Sequence, residues 1–205
     1  MSFYRHYIFP HVLELATRSR SLHKPRRRTL AGAGGRILEI GFGTAANLAF
    51  YPPQVRRIEA LDPDARLDRY AGPRIKASPI EVGFHHLDAE HLPFESQRFD
   101  TVVCTLTLCS IPDPGAALRE VHRVLVPGGR FLFLEHGLSP DPAVARWQRR
   151  LNPLQRAVGG GCNLDRPTVA LLEAGGLRVP ELRQYYLRGA PRFLGYMSEG
   201  VALKP

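Results

Sequence analysis

The apolar positions of this chain fall into short runs separated by amphipathic stretches. The runs are Ile37–Ile40, Ile58–Leu61, Val82–Leu87, Thr101–Leu108 and Arg130–Leu134, and the intervening segments predict helices at Thr44–Phe50, Ala65–Tyr70 and Gly115–Leu125. The helical period is clearest in Pro114–Val126. There Leu118, Val121, Val124 and Leu125 share one face, and Pro127-Gly128-Gly129 stops the helix. Two more helices are expected within 141–174, divided at Gly159-Gly160-Gly161, and two final strands at Leu177–Leu187 and Phe193–Leu203. Continuous apolar strands alternating with helices predict an α/β domain with a parallel sheet covered on both faces. Ahead of it, residues 3–17 predict a helix that starts or kinks at Pro10, and residues 18–29 a basic, proline-interrupted connector. The expected organisation is therefore an N-terminal helix and connector at 1–29, then one domain at 30–205 with a helical insertion at 137–175.

Composition narrows the class. At 205 residues, 44% hydrophobic and 23% charged, the chain is sized to bury its own core as one domain. Its charge-free runs fall short of the ~20 residues a membrane-spanning helix needs. Charges and prolines also interrupt the N-terminal apolar runs, so no signal peptide is expected and the expected location is cytoplasmic. The net charge of +9 is uneven: residues 1–36 carry eight Lys/Arg and one acid, 37–139 ten and thirteen, 140–205 ten and five. A basic arm of this kind suits peripheral contact with an anionic membrane, or simply solvent. The cysteines Cys104, Cys109 and Cys162 are odd in number and form no C-x-x-C, and no His sits at partner spacing. Reduced, packed thiols with neither a disulfide framework nor a metal are expected.

The candidate chemistry starts where the first run enters a glycine turn, Leu38-Glu39-Ile40-Gly41-Phe42-Gly43-Thr44. Two glycines one residue apart let the backbone turn tightly and approach a ligand closely. Ala46 stands where a dinucleotide fingerprint has its third glycine, and Glu39 suits a cationic ligand better than a diphosphate. Asp62 ends the second run, 21 residues after Gly41, where an acid can accept both hydroxyls of a ribose. Asp88 follows the third run, placed to accept from an adenine amino group. In an open α/β sheet these strand ends share one crevice, which describes a site for a nucleoside with a positive centre.

LEIGFGT, ALDPD, LDAEHLPF, FDTVVC and LREVHRVLVPGGRFLFLEH, spread over residues 30–136, resemble the successive motifs of class I S-adenosylmethionine-dependent methyltransferases. The resemblance implies a Rossmann-like, seven-stranded, mostly parallel sheet with an antiparallel last strand, and S-adenosylmethionine as cofactor with S-adenosylhomocysteine as product. It implies that Gly41 and Gly43 lie under the methionine part, with Glu39 supporting the loop. Asp62 would hold the ribose, Asp88 and Ala89 the adenine, and Thr105 would lie beside the sulfonium. Phe42, Asn47, Pro63 and Glu90 complete the implied cofactor set. YIFP, ANLAFYPP, VVCTLTLCSI, Trp147 and GGCNLDR are similar to the methyltransferase-like alkyl thiol S-methyltransferases, a family that sits on membrane surfaces. A small apolar thiol is the substrate this implies; the alternatives are a phospholipid amine or a quinone, which related proteins methylate, or a catalytically silent cofactor-binding protein. Nucleic acid is not an expected partner, because Thr107–Pro112 lacks the N/D-P-P-[YF] arrangement associated with base methylation.

Two residues are candidates for acid–base work. His136 ends the fifth run at the crevice edge and could take a proton, or serve as a hydrogen-bonded loop histidine. Asp165 could close over the site, or cap a helix starting near Pro167. Tyr4, Tyr7, Phe9, Trp147 and Leu151 would give the substrate pocket an aromatic lining. Nothing in the sequence fixes an oligomeric state.

Overall fold

The computed structural model describes residues 3–205. Seven strands form one sheet: β1 (Ile37–Ile40), β2 (Arg57–Leu61), β3 (Glu81–His85), β4 (Phe99–Thr105), β5 (Leu125–His136), β6 (Arg178–Tyr186) and β7 (Tyr196–Leu203). Their order is β3-β2-β1-β4-β5-β7-β6, with β1 to β5 parallel and β7 inserted antiparallel between β5 and β6. The helices are α1 (Phe9–Thr17), α2 (His23–Leu30), α3 (Asp68–Ala77), α4 (Pro114–Val124), α5 (Pro142–Val158) and α6 (Thr168–Ala174).

Every residue of β1 is buried, as befits a central strand covered on both faces. Alternation along the strands sorts the core into two layers. Leu38, Ile40, Phe131 and Phe133 pack with Leu118 and Val121 of α4 and Leu172 of α6. Ile37, Val103 and Leu132 pack on the opposite face with Leu30 of α2 and Ala71 of α3. Glu39 has the parity of Ile37, so its carboxylate enters the second layer, beneath α2.

Local chemistry sets the helix ends. The Asp113 carboxylate accepts from Ala116 N and that of Asp141 from Ala143 N and Val144 N, and each is followed by a proline at the first helical position. Three expectations are corrected. Thr44–Phe50 forms turns and one short 3-10 turn at Leu48–Phe50, because Ala45 takes a left-handed φ of 60° and Pro52-Pro53 follow. The expected connector 18–29 is largely α2, with Pro25 in the first turn where its missing N–H costs nothing. Asp165 is not a cap: Pro167 occupies that position of α6 without a side-chain bond, and the Asp165 carboxylate accepts from Asn152 at 2.8 Å.

Candidate active site

The ends of β1, β2, β3, β4 and β5 open into a cavity of about 490 Å³. Its floor is the turn after β1. Gly41 and Gly43 have φ of 70° and 56°, and Gly41 and Phe42 both donate their N–H to Leu61 O, at 2.9 and 3.0 Å. A Cβ on Gly41 would stand 2.1 Å from the Thr107 side chain, so only glycine fits there. The Phe42 ring packs on Phe84 at the edge of the cavity.

Asp62 binds this turn to the end of β2. One carboxylate oxygen accepts from Gly43 N at 2.8 Å and the other from Asp64 N at 2.9 Å. Burial raises its pKa. Each oxygen keeps a second lone pair for a ligand hydroxyl. Asp88 accepts from Glu90 N and His91 N, both at 3.0 Å, while the Glu90 carboxylate accepts from Asp113 N at 2.7 Å.

Beneath the turn lies a buried polar network. Glu39 accepts from Asn47 Nδ2 at 2.9 Å and from the Tyr51 hydroxyl at 2.6 Å. Burial pushes its pKa up to about 7, against the opposing pull of Tyr51, Asn47 and the nearby Arg26. Arg26 reaches in from α2. Its guanidinium donates to Asn47 Oδ1, to Thr105 Oγ1 at 3.2 Å and to Thr17 O at 3.3 Å, while its buried Nε has no hydrogen-bond partner among the described residues.

The β4–β5 side of the cavity has a different character. Glu135, buried in β5, accepts from Thr107 N and Leu108 N at 2.8 and 3.0 Å, which ties the loop after β4 to β5. That loop carries Cys109. His136 Nε2 lies 3.0 Å from Cys162 Sγ, and the donor atoms of Cys109, His136 and Cys162 all fall within 4.8 Å of one another. The hydrogen bond with Cys109, followed by burial, pushes the Cys162 thiol well above the usual range.

The N-terminal helices roof the cavity. Phe9, Val12, Leu13 and Ala16 of α1 line it, and Glu14 clamps α1 to Arg74 of α3 at 2.5 Å. Arg74 also donates to Thr44 O of the glycine turn at 2.5 Å, and the Tyr4 hydroxyl donates to Val158 O of α5.

A family described as methyltransferase domain matches residues 38–133. Thiol S-methyltransferase TMT1B of Homo sapiens is 36% identical over 185 residues, covering 80% of this chain and 73% of that protein. Phosphatidylethanolamine N-methyltransferase of Cereibacter sphaeroides is 29% identical over 66% of this chain and 68% of its own. Among solved structures, a geranyl diphosphate methyltransferase in complex with S-adenosylmethionine superposes with a TM-score of 0.71 at 14% identity, covering 95% of this chain and 88% of that one.

The chain belongs to the S-adenosylmethionine-dependent methyltransferases.

The cofactor of this methyltransferase is S-adenosylmethionine, and the cavity fits it. Gly41 and Gly43 line the cavity with no side chain of their own, Asp62 keeps free lone pairs, and Arg26, the one Lys or Arg among the described lining residues, suits a carboxylate-bearing ligand. All the sequence-predicted cofactor residues border the cavity: Glu39, Gly41, Phe42, Gly43, Asn47, Asp62, Pro63, Asp88, Ala89, Glu90 and Thr105, and His136 joins them. Asp165 does not, and its expected place over the site is corrected by its bond to Asn152. Of the expected aromatic lining, Tyr4 and Phe9 are present, while Tyr7 and Trp147 are exposed and Leu151 lies off the cavity. Sequence reasoning missed Arg26, whose only signal was a cationic run next to a proline, and read Cys109 and Cys162 as packed thiols.

Among the described residues, no helix of the methyltransferase is long and apolar enough to cross a membrane.

Proposed function

We propose that this methyltransferase transfers a methyl group to the sulfur of a small apolar thiol. The observation that carries the reading is the likeness to a thiol S-methyltransferase over 80% of the chain. It is supported by an acceptor end of two cysteines and a histidine under an apolar roof of Phe9, Leu13 and Val158.

When bound, S-adenosylmethionine supplies a methyl group on a sulfonium, an electrophile that already carries its leaving group. The chain's own residues have to bind, orient and exclude water. In this reading Asp62 accepts the ribose hydroxyls, and Asp88 with the backbone of Ala89 receives the adenine. The Gly41–Gly43 backbone and Thr105 line the methionine part, with Asn47 and Glu39 bracing the turn. Arg26 takes the carboxylate. Phe42, Pro63 and Glu90 shape the walls. A thiol of pKa about 8.5 is only partly ionised at neutral pH, so its activation falls to the acceptor end, where His136 is the titratable ring. Free Cys104, Cys109 and Cys162 suit a reducing, cytoplasmic compartment.

A second reading, methylation of a lipid amine, is favoured by one feature: Tyr7, Ile8, Val12 and Leu15 are exposed along the roof. Such a face suits peripheral contact with an anionic membrane. The basic arm contributes less to that contact than its charge implies, since Arg26 is buried and Arg28 pairs with Glu199 at 2.6 Å.

The test is S-adenosylhomocysteine release with a simple alkyl thiol, with and without anionic liposomes. Release with thiol alone is expected. No release despite measured cofactor binding would overturn the thiol reading, and release only with liposomes bearing an amine headgroup would replace it.

A further inference from the structure

Cys109, His136 and Cys162 come from three separate elements: the loop after β4, the end of β5 and the loop after α5. Each offers one soft or borderline donor atom, all three line the cavity, and all lie within 4.8 Å of one another. The His136 ring makes its hydrogen bond to Cys162, and its Nδ1 is buried with no partner among the described residues.

We propose that Cys109, His136 and Cys162 bind a zinc ion whose fourth coordination position takes the sulfur of the substrate thiol. A three-ligand set of two thiolates and one imidazole with an open position is a catalytic rather than a structural zinc arrangement. Thiolate and imidazole donors select zinc over magnesium or calcium, which take oxygen ligands. Zinc–sulfur bonds of ~2.3 Å and zinc–nitrogen bonds of ~2.0 Å in a tetrahedron put the donors about 3.5–3.8 Å apart. That spacing lies inside the observed cluster and asks the His136–Cys162 pair, now at 3.0 Å, to open by about half an ångström. The scaffold is fixed around it: Glu135 holds the loop of Cys109, and Asn163 donates twice to Cys109 O at 2.9 Å.

Charge closes the argument. A divalent cation with two thiolates is neutral, and a third thiolate from the substrate makes the assembly anionic. Arg166, half-buried and bonded to Leu108 O, feels both cysteines electrostatically and offsets that charge. The substrate thiol loses its proton to solvent on binding. Its sulfur then forms a bond to the methyl carbon as the carbon–sulfonium bond breaks, whose electron pair stays on the departing sulfur. The product thioether is neutral, a weaker ligand than a thiolate, and leaves. His136 is a ligand in this arrangement, and the cation provides the acidification that a base would otherwise supply.

The role of the fourth position rests on the thiol reading; the metal site does not. The test uses the full chain, purified reduced and without a histidine tag or chelator. Metal analysis should find about one zinc per chain, and cobalt(II) should give a thiolate charge-transfer band with tetrahedral visible absorption. Cys109→Ser/Cys162→Ser should lose both signals while still binding S-adenosylhomocysteine, which reports that it has folded. Stripping zinc should cut thiol methylation by roughly tenfold or more, with recovery on adding it back. Absence of zinc and of the cobalt band in wild-type protein that binds S-adenosylhomocysteine would overturn the site. Thiol methylation that survives stripping undiminished would overturn its catalytic role. Zinc bound as described in a protein that methylates no thiol would support the site and sink the thiol reading instead.

Discussion

Arg26→Leu gives the sharpest test of how the cofactor is held. Arg26 is 3% exposed, donates to Asn47, Thr105 and Thr17 O, and lines the cavity with its Nε unpartnered among the described residues. If that guanidinium receives the cofactor carboxylate, its removal leaves a buried anion without its charged partner. Truncating one member of such a pair costs about 2–4 kcal/mol, or roughly 30- to 1,000-fold in Kd. The fold should lose less, on the order of 1–2 kcal/mol, because the lost hydrogen bonds are partly offset by no longer burying a charge. Calorimetry with two ligands separates these effects. S-adenosylhomocysteine carries the carboxylate; 5′-methylthioadenosine has the same nucleoside and sulfur without it. The variant should lose affinity for the first and keep it, within about threefold, for the second. Equal losses for both ligands would mean that Arg26 only braces the pocket, and no loss for either would remove it from the site.

Two further outcomes follow from the glycine turn and the network below it. Glu39 has a folded pKa of about 7 against an ordinary 4.5, so the empty fold binds this proton more tightly than the unfolded chain. Its contribution to stability is complete below pH 4.5 and is lost as pH rises through 7. A cationic ligand favours the ionised carboxylate, so cofactor affinity should rise with pH up to about 7 and then level; Glu39→Gln should flatten the profile, and an unchanged slope would refute the linkage. Gly41→Ala combines a left-handed backbone with a Cβ 2.1 Å from Thr107, and should cost about 2–4 kcal/mol. Gly43→Ala, whose Cβ meets nothing closer than 3.9 Å, should cost only about 1–2 kcal/mol. Equal shifts in Tm for the two variants would contradict the close approach at Gly41.

The strands and their ligand-bearing ends were readable because both depend on short-range pattern. β1 appeared as Ile37–Ile40, its exact extent, since a strand buried on both faces is mainly apolar, with Glu39 its one buried acid. Asp62 and Asp88 were visible because strand ends follow those runs, and Glu39 because it stands as an acid within the first run. What escaped depended on contacts distant in the chain. Thr44–Phe50 has helix-forming residues, yet Asn47 is drawn inward to Glu39 and the turn cannot continue as a helix. Arg26 lay in a run that looked like solvated charge, and only the docking of α2 on the sheet turns it inward. Cys109 and Cys162 are brought to His136 by the ends of three elements, a closeness that no local spacing rule detects.

The placement of β7 also constrains the order in which the methyltransferase can be assembled. β7 bonds to β5 on one side and β6 on the other, yet it is synthesised after both. Until residues 196–203 have left the ribosome, β5 has an open edge along Phe131–Leu134, a run that is wholly buried in the finished sheet. A nascent chain therefore carries this apolar edge from the synthesis of β5 until that of β7, the kind of surface that pairs with another chain if it is left waiting. Production of this enzyme should thus be limited by how quickly its last strand arrives, and chaperones that cover strand edges should raise the yield of folded protein.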